Sequence, residues 1–326
     1  MPDSTIPSSP SLSIAVRPRA GLASAPSSLS FSAVWDLYTR YAALLPPNPE
    51  PRQPPIRIAN LDAIAARYDT LIFDAYGVLN RGAQAIDGAR DAFERARRVT
   101  PHIIVLTNDA SGDHAAIAAK HARRGFVIST DEIVAGVDLL PHRLSAANAL
   151  HRFGYLGPQP RPYSKITAQM QDLSDPQVDL ANICGFLLLE HPCWTPELQT
   201  ALVETIAATP RPVLIGNPDI TAPVADSFSV EPGYHALDLF LRTGHKPELL
   251  GKPNPQLYQH LLHTLGDPQP ERILAIGDTL HTDILGARTV GMHTLLVESG
   301  VLRGQDALAH IAQSGIQPHY IAASIA

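Results

Sequence analysis

Short apolar runs recur along this chain: "TLIF", "HIIVLT", "CGFLLLE", "PVLIG", "RILAIG" and "HTLLV". Each is shorter than a buried helix needs, and none alternates with polar residues as a half-exposed strand would. Segments with one apolar and one charged face lie between several of them: "GARDAFERARRV", "HAAIAAKHARRG" and "PELQTALVETIAA". Continuous apolar strands alternating with such helices bury both faces of a sheet, so the fold class is α/β, a doubly wound parallel sheet. The pattern predicts strand, loop and helix over "RILAIGDTLHTDILGARTVG", with "HTLLV" as the last strand. Chemistry in such sheets collects at the carboxyl ends of the strands.

Three of these runs end on polar side chains. The first ends at Asp74 in "TLIFDAYGVLN", the second at Thr107 and Asn108 in "LTND", and a late one at Asp278, with Asp283 five residues on in "GDTLHTD". Lys252 stands in "LLGKPNP", just before a helical stretch. Singly, a strand-end aspartate is more often a turn or a cap, and a lone lysine is a solvated charge. As a set they supply what phosphoryl transfer requires. Carboxylates hold a hard cation, one carboxylate can attack phosphorus, and a hydroxyl, loop amides and an ammonium cradle the non-bridging oxygens.

This set resembles the four motifs of the haloacid dehalogenase superfamily of hydrolases: "FDAYGVL", "LTND", "GKPNP" and "GDTLHTD", in that order. The second and third motifs are separated by about 140 residues, similar to the class with a large α/β cap inserted there, which includes nitrophenyl-phosphatase-like and pyridoxal-phosphatase-like enzymes. The resemblance covers about residues 65 to 303. It implies a Rossmann-like core over 56–150 and 246–326, a smaller α/β cap domain over 151–245, and a Pro/Ser-rich N-terminal extension over 1–55. It further implies Asp74 as nucleophile and magnesium ligand, the Tyr76 carbonyl and Asp278 as further ligands, and Asp283 beside them orienting a metal water or Lys252. Thr107, Asn108 and Lys252 would hold the phosphoryl group, and Asn217 and Asp219 of "GNPDITAP" would face the site from the cap. The expected activity is magnesium-dependent hydrolysis of a small phosphorylated metabolite through an aspartyl phosphate. Pairing of caps into a homodimer is expected from relatives.

Position 76 departs from the phosphatase pattern. The family places a second aspartate there, which protonates the leaving oxygen and then activates water. Tyrosine, with an ordinary pKa near about 10, is a poor base at neutral pH. The loss is worth about 10²–10⁴ in rate, and it bears most on esters with poor leaving groups. Three readings follow: a phosphohydrolase of a branch with an aromatic residue here, a catalytically weakened protein that binds a phosphorylated ligand, and a metal-independent dehalogenase-like hydrolase, whose first motif "DAYG" also resembles. The paired acids of the fourth motif argue against the last, since without a cation they would repel a substrate carboxylate.

Charge and composition exclude other classes. Lys+Arg number 25 against Asp+Glu 31, without the basic clustering of a nucleic-acid footprint. No apolar run reaches the roughly 18 residues of a membrane span, and the N-terminus does not read as a signal peptide. With only Cys184 and Cys193, a reducing, cytoplasmic setting is expected. His114, His121, His142 and His151 show no metal-ligand spacing, and His281 is expected to face solvent from its loop. Arg81 is either an anion contact or surface charge. Gly77 and Gly82 are expected to turn the chain beside Asp74 and into a small flap. Residues 1 to about 30 read as a loosely packed arm, "SAVWDLYTRYAALL" as a short helix, and "PPNPEPRQPP" as a stiff spacer.

Overall fold

The computed structural model describes residues 21–22, 25–50, 53–144, 152–158, 169–190 and 194–326. Most of the arm expected over residues 1 to about 30 (1–20 and 23–24), together with His151 and Cys193, lies outside them. In chain order the strands are β1 (Ile56–Arg57), β2 (Thr70–Phe73), the hairpin β3 (Asn80–Arg81) and β4 (Gln84–Ala85), β5 (His102–Thr107) and β6 (Ile133–Ala135). There follow β7 (Arg152–Leu156), β8 (Gln169–Asp172), β9 (Gly185–Leu188), β10 (Val213–Ile215), the hairpin β11 (Pro223–Val224) and β12 (Ser227–Phe228), and β13 (Glu248–Leu249). The chain closes with β14 (Ile273–Gly277), β15 (His293–Val297) and β16 (Tyr320–Ala322).

Two parallel sheets result. The larger has the order β1-β16-β15-β14-β2-β5-β6 and the smaller β13-β10-β9-β7-β8. In the larger sheet Leu71, Phe73, Ile103 and Val105 point to one face, against Phe93 of the covering helix Ala89–Val99 and Phe126 just beyond the helix His114–Arg123. Their neighbours Ile72, Ile104 and Leu106 point to the other, against Leu257, Tyr258 and Leu261. This is why the strand runs are apolar at every position: both sides of the sheet are inside. Proline opens the helices Pro196–Ala208, Pro232–Thr243 and Pro255–Thr264, where its missing N–H has no helical partner to lose, and the Thr195 and Asn254 side chains cap the first and third.

Two expectations are corrected. "HTLLV" is not the last strand: β16 follows it, paired with both β15 and β1, because "YIA" finds a parallel edge that nothing in its short run announces. The link between β14 and the next helix is not a plain loop but a wide π-helical turn, Leu280–Ile284, buried throughout. The strand Glu248–Leu249 pairs with β10 in the smaller sheet.

The expected short helix is α1 (Phe31–Tyr41), capped by the Ser30 hydroxyl. It lies across both sheets' territory. Its Val34, Leu37, Tyr38 and Tyr41 join the apolar cluster of the smaller sheet with Phe186, Leu188 and Leu237. Its Trp35 joins Leu280, Ile284 and Leu296 beneath the larger one. The Trp35 indole donates to Gln313 at 2.8 Å, the Tyr41 hydroxyl donates to the Pro218 carbonyl at 2.9 Å, and the Leu29 amide pairs with Phe228 at 2.9 Å. Among the described residues no helix is long and apolar enough to cross a membrane.

Candidate active site

Parallel register builds the site. β2 pairs with β14 so that Phe73 stands opposite Ile276, and with β5 so that Phe73 stands opposite Val105. Asp74, Asp278 and Thr107 therefore leave their strands side by side at one edge. The Asp74 amide still donates to Ile276 at 2.9 Å, which fixes the point where the carboxylate turns out. Gly77 follows with φ +92°, and a β-carbon there would meet the Asp278 carboxylate at 2.1 Å, so glycine is needed for both the turn and the close approach. Beyond it β3 and β4 form the flap, whose Gly82 amide donates at 3.1 Å to Pro223 in the β11–β12 hairpin.

One oxygen from each of Asp74, Asp278 and Asp283 lies within 4.8 Å of the others. Asp278 accepts from the Val301 amide at 2.7 Å and from the Thr279 hydroxyl at 2.9 Å, and Asp283 accepts from the Thr279 amide at 3.1 Å. The π-helical turn lets Asp283 reach back to this point from five residues beyond Asp278. The Lys252 ammonium donates to Asp74 at 2.5 Å and to Asp283 at 2.6 Å. Burial opposes that charge, yet the Asp283, Asp74 and Asp219 carboxylates outweigh burial and hold the ammonium well above its ordinary pKa. Burial, together with Asp74 and Asp283, pushes Asp278 well above the usual carboxylate range, and burial lifts Asp74 to about 7 despite Lys252. Three converging carboxylates with one ammonium leave excess negative charge in a buried place. Such a set of oxygen donors fits a divalent cation such as magnesium.

The residues expected to hold the phosphoryl group are tied together by hydrogen bonds. The Asn108 carboxamide accepts from the Lys252 amide at 2.7 Å and donates to the Asp219 carboxylate at 2.9 Å. Thr107 is buried at the end of β5, where its hydroxyl accepts from the Asp109 amide at 3.1 Å. All the strand-end residues, with Lys252, Asn217 and Asp219, line one cavity of about 210 Å³ that also takes in Tyr76, Glu190 and Glu231. Tyr76 enters it sideways: its hydroxyl accepts from Arg124 at 2.9 Å, and the same guanidinium lies 5.0 Å from the ring centre. Burial raises the phenol pKa further, away from any use as a base near neutrality.

Two family descriptions match this chain: "haloacid dehalogenase-like hydrolase" over residues 71–162 and "HAD-hydrolase-like" over residues 249–326. Human chronophin is 29% identical over 294 residues, covering 83% of this chain and 95% of that one. A structure from Cytophaga hutchinsonii, described as a possible sugar phosphatase of the same superfamily, superposes with a TM-score of 0.74 at 25% identity, covering 83% of this chain and 98% of that one. A glycerol phosphate phosphatase of Mycobacterium tuberculosis in complex with magnesium shares the fold, with a TM-score of 0.64 at 23% identity, covering 80% of this chain and 76% of that one. The chain belongs to the haloacid dehalogenase superfamily of hydrolases. Within that superfamily it falls in the large-cap class, the smaller sheet being the cap.

In this haloacid dehalogenase-like hydrolase two side chains of the cavity escaped the sequence reading. Glu190 and Glu231 come from the cap. Burial, then Asp109, lifts Glu190 to about 7, and burial, then Glu190, lifts Glu231 to about 8. A signal for Glu190 was present, since "FLLLE" is an apolar run ending on an acid, the same pattern that marks Asp74. The expectation for His281 is overturned. It is 5% exposed, its ring stacked 4.8 Å from Tyr38 and set edge-on 5.4 Å from Trp35. Its partners come from α1, more than 240 positions earlier, so the loop itself carries no trace of them. Arg81 does not line the cavity.

Proposed function

We propose that this hydrolase cleaves the monoester of a small phosphorylated metabolite, with magnesium and through an aspartyl phosphate on Asp74. The observation that carries the reading is the meeting of Asp74, Asp278 and Asp283 within 4.8 Å, bridged by Lys252. Asp74 stands some 200 residues ahead of Asp278 and Asp283, so only the fold brings the three together. The phosphatases among the relatives support the reaction class, and the magnesium complex of a shared fold supports the ion.

In this reading Asp74, Asp278 and the Tyr76 carbonyl hold magnesium, with Asp283 orienting its surroundings. The ion when bound supplies positive charge against the non-bridging phosphoryl oxygens. Asp74 presents one carboxylate oxygen to phosphorus. Lys252, Thr107 and the Asn108 backbone hold the phosphoryl group, and the ammonium already aimed at Asp74 stands where charge builds up in transfer. The cap closes the cavity and excludes water that would otherwise compete. The cavity's size limits the leaving group to a small one.

The test is a panel of phosphate monoesters that includes 4-nitrophenyl phosphate. Turnover with magnesium that disappears with EDTA and in Asp74→Asn supports the reading. Phosphate binding without turnover would instead make this a binding protein on a hydrolase scaffold, and metal-free halide release from 2-haloacids would make it a dehalogenase.

A further inference from the structure

We propose that Asp219 is the general acid and base that position 76 lacks, a role that rests on the phosphohydrolase reading above. The cap loop after β10 places it with little freedom. Its amide donates to Asn217 Oδ1 at 3.0 Å, its carbonyl accepts from the Gly233 amide at 2.9 Å, and the preceding Pro218 carbonyl accepts from Tyr41 at 2.9 Å. One carboxylate oxygen, Oδ1, accepts from Asn108 at 2.9 Å. Asn108 in turn holds the Lys252 amide, and the Lys252 ammonium touches Asp74. Asp219 Oδ2 takes no hydrogen bond among the described residues, and the side chain lines the same cavity as Asp74.

The other acids of the cavity are less suited. Both Glu231 oxygens are engaged, Oε1 by the Ser229 hydroxyl at 2.6 Å and Oε2 by Asn217 at 3.2 Å. Asp109 is held by Lys120 at 2.7 Å and by Ser111. Glu190 lines the same cavity beside Asp109, and the Glu190→Gln variant below separates its role from that of Asp219. Tyr76 is turned to Arg124. The charged groups around Asp219 are Lys252 and Asp283 from the core, with Asp74 behind them, and Glu190 and Glu231 from the cap. Burial holds its carboxyl up to about 6, against Lys252 and with Asp283, so both protonation states are within reach near neutral pH.

The chemistry balances. Asp74 forms a bond to phosphorus as the P–O ester bond breaks, and the departing alkoxide oxygen takes the proton of the Asp219 carboxyl. The Asp219 carboxylate then removes a proton from water as that water attacks the acyl phosphate. Inorganic phosphate leaves, Asp74 is freed, and Asp219 is again protonated.

The experiment compares glycerol phosphate, whose alcohol needs a proton to leave, with 4-nitrophenyl phosphate, whose phenolate does not. The full chain is used with saturating magnesium. Asp219→Asn keeps the acceptor for Asn108 and removes the proton. Its kcat should fall about 10²–10³-fold on glycerol phosphate and less than about tenfold on the aryl ester. The decline of the wild-type alkyl rate above about pH 6 should flatten in the variant. Equal losses on both esters, or an unchanged alkyl rate, overturn the assignment while the aryl turnover still upholds the hydrolase reading. So does the same leaving-group-selective loss appearing in Glu190→Gln and not in Asp219→Asn. Wild-type protein inert on both esters removes the hydrolase reading and this proposal with it.

Discussion

Lys252 is the residue on which the balance of the site turns, because its ammonium stands between two carboxylates that would otherwise repel each other. Lys252→Met should lower kcat about 10²–10³-fold, the range for removing one donor to developing charge. Magnesium should bind at least as tightly, measured by titration calorimetry, since the carboxylates lose their competing cation. In the Asp219→Asn background, Tyr76→Asp should raise turnover of alkyl phosphates about tenfold or more by restoring an acid at the family's position. A folded, magnesium-binding variant with no gain would show that position 76 does not address the leaving oxygen. Asp74, the fourth-motif acids and Lys252 were legible in the sequence because strand ends in a parallel sheet converge whatever the loops do. Glu231 and the burial of His281 were not, because both depend on partners the local sequence does not contain.

At the scale of elements, the strands that build the core were readable because burial on both faces erases polar alternation. β6, β7, β8 and β16 were not, being short or partly polar and defined by the neighbour they pair with. The helix α1 was readable as a helix from its apolar spacing but not as a bridge, since its faces give no hint of which sheet each will meet. Its burial of Trp35 predicts a cost of about 3–5 kcal/mol for Trp35→Ala in denaturant unfolding. Tyr41→Phe should cost about 1 kcal/mol by removing one buried hydrogen bond to the cap loop. Because Pro218 adjoins Asp219, the same variant should also lower kcat on glycerol phosphate more than on 4-nitrophenyl phosphate, read in steady-state kinetics beside the unfolding measurement.

For the molecule as a whole, the pH dependence of folding separates two opposed groups. Buried acids of the cavity are easiest to bury protonated, whereas buried histidines are held neutral. His121, 2% exposed against Phe126, is pushed down to about 4, first by burial and then by Arg124. A base whose folded pKa is depressed gives stability that is intact above its unfolded value, near about 6.5, and that drains away as pH falls toward 4. In His121→Leu the loss of unfolding free energy between pH 7 and pH 4.5 should shrink by about 2 kcal/mol, measured by urea titration at the two pH values. The bridge made by α1 also dictates the order in which the protein comes into being. Trp35 is translated 278 positions ahead of Gln313, the side chain it binds. Until Gln313 has been made this contact cannot form, so α1 completes its docking late in synthesis.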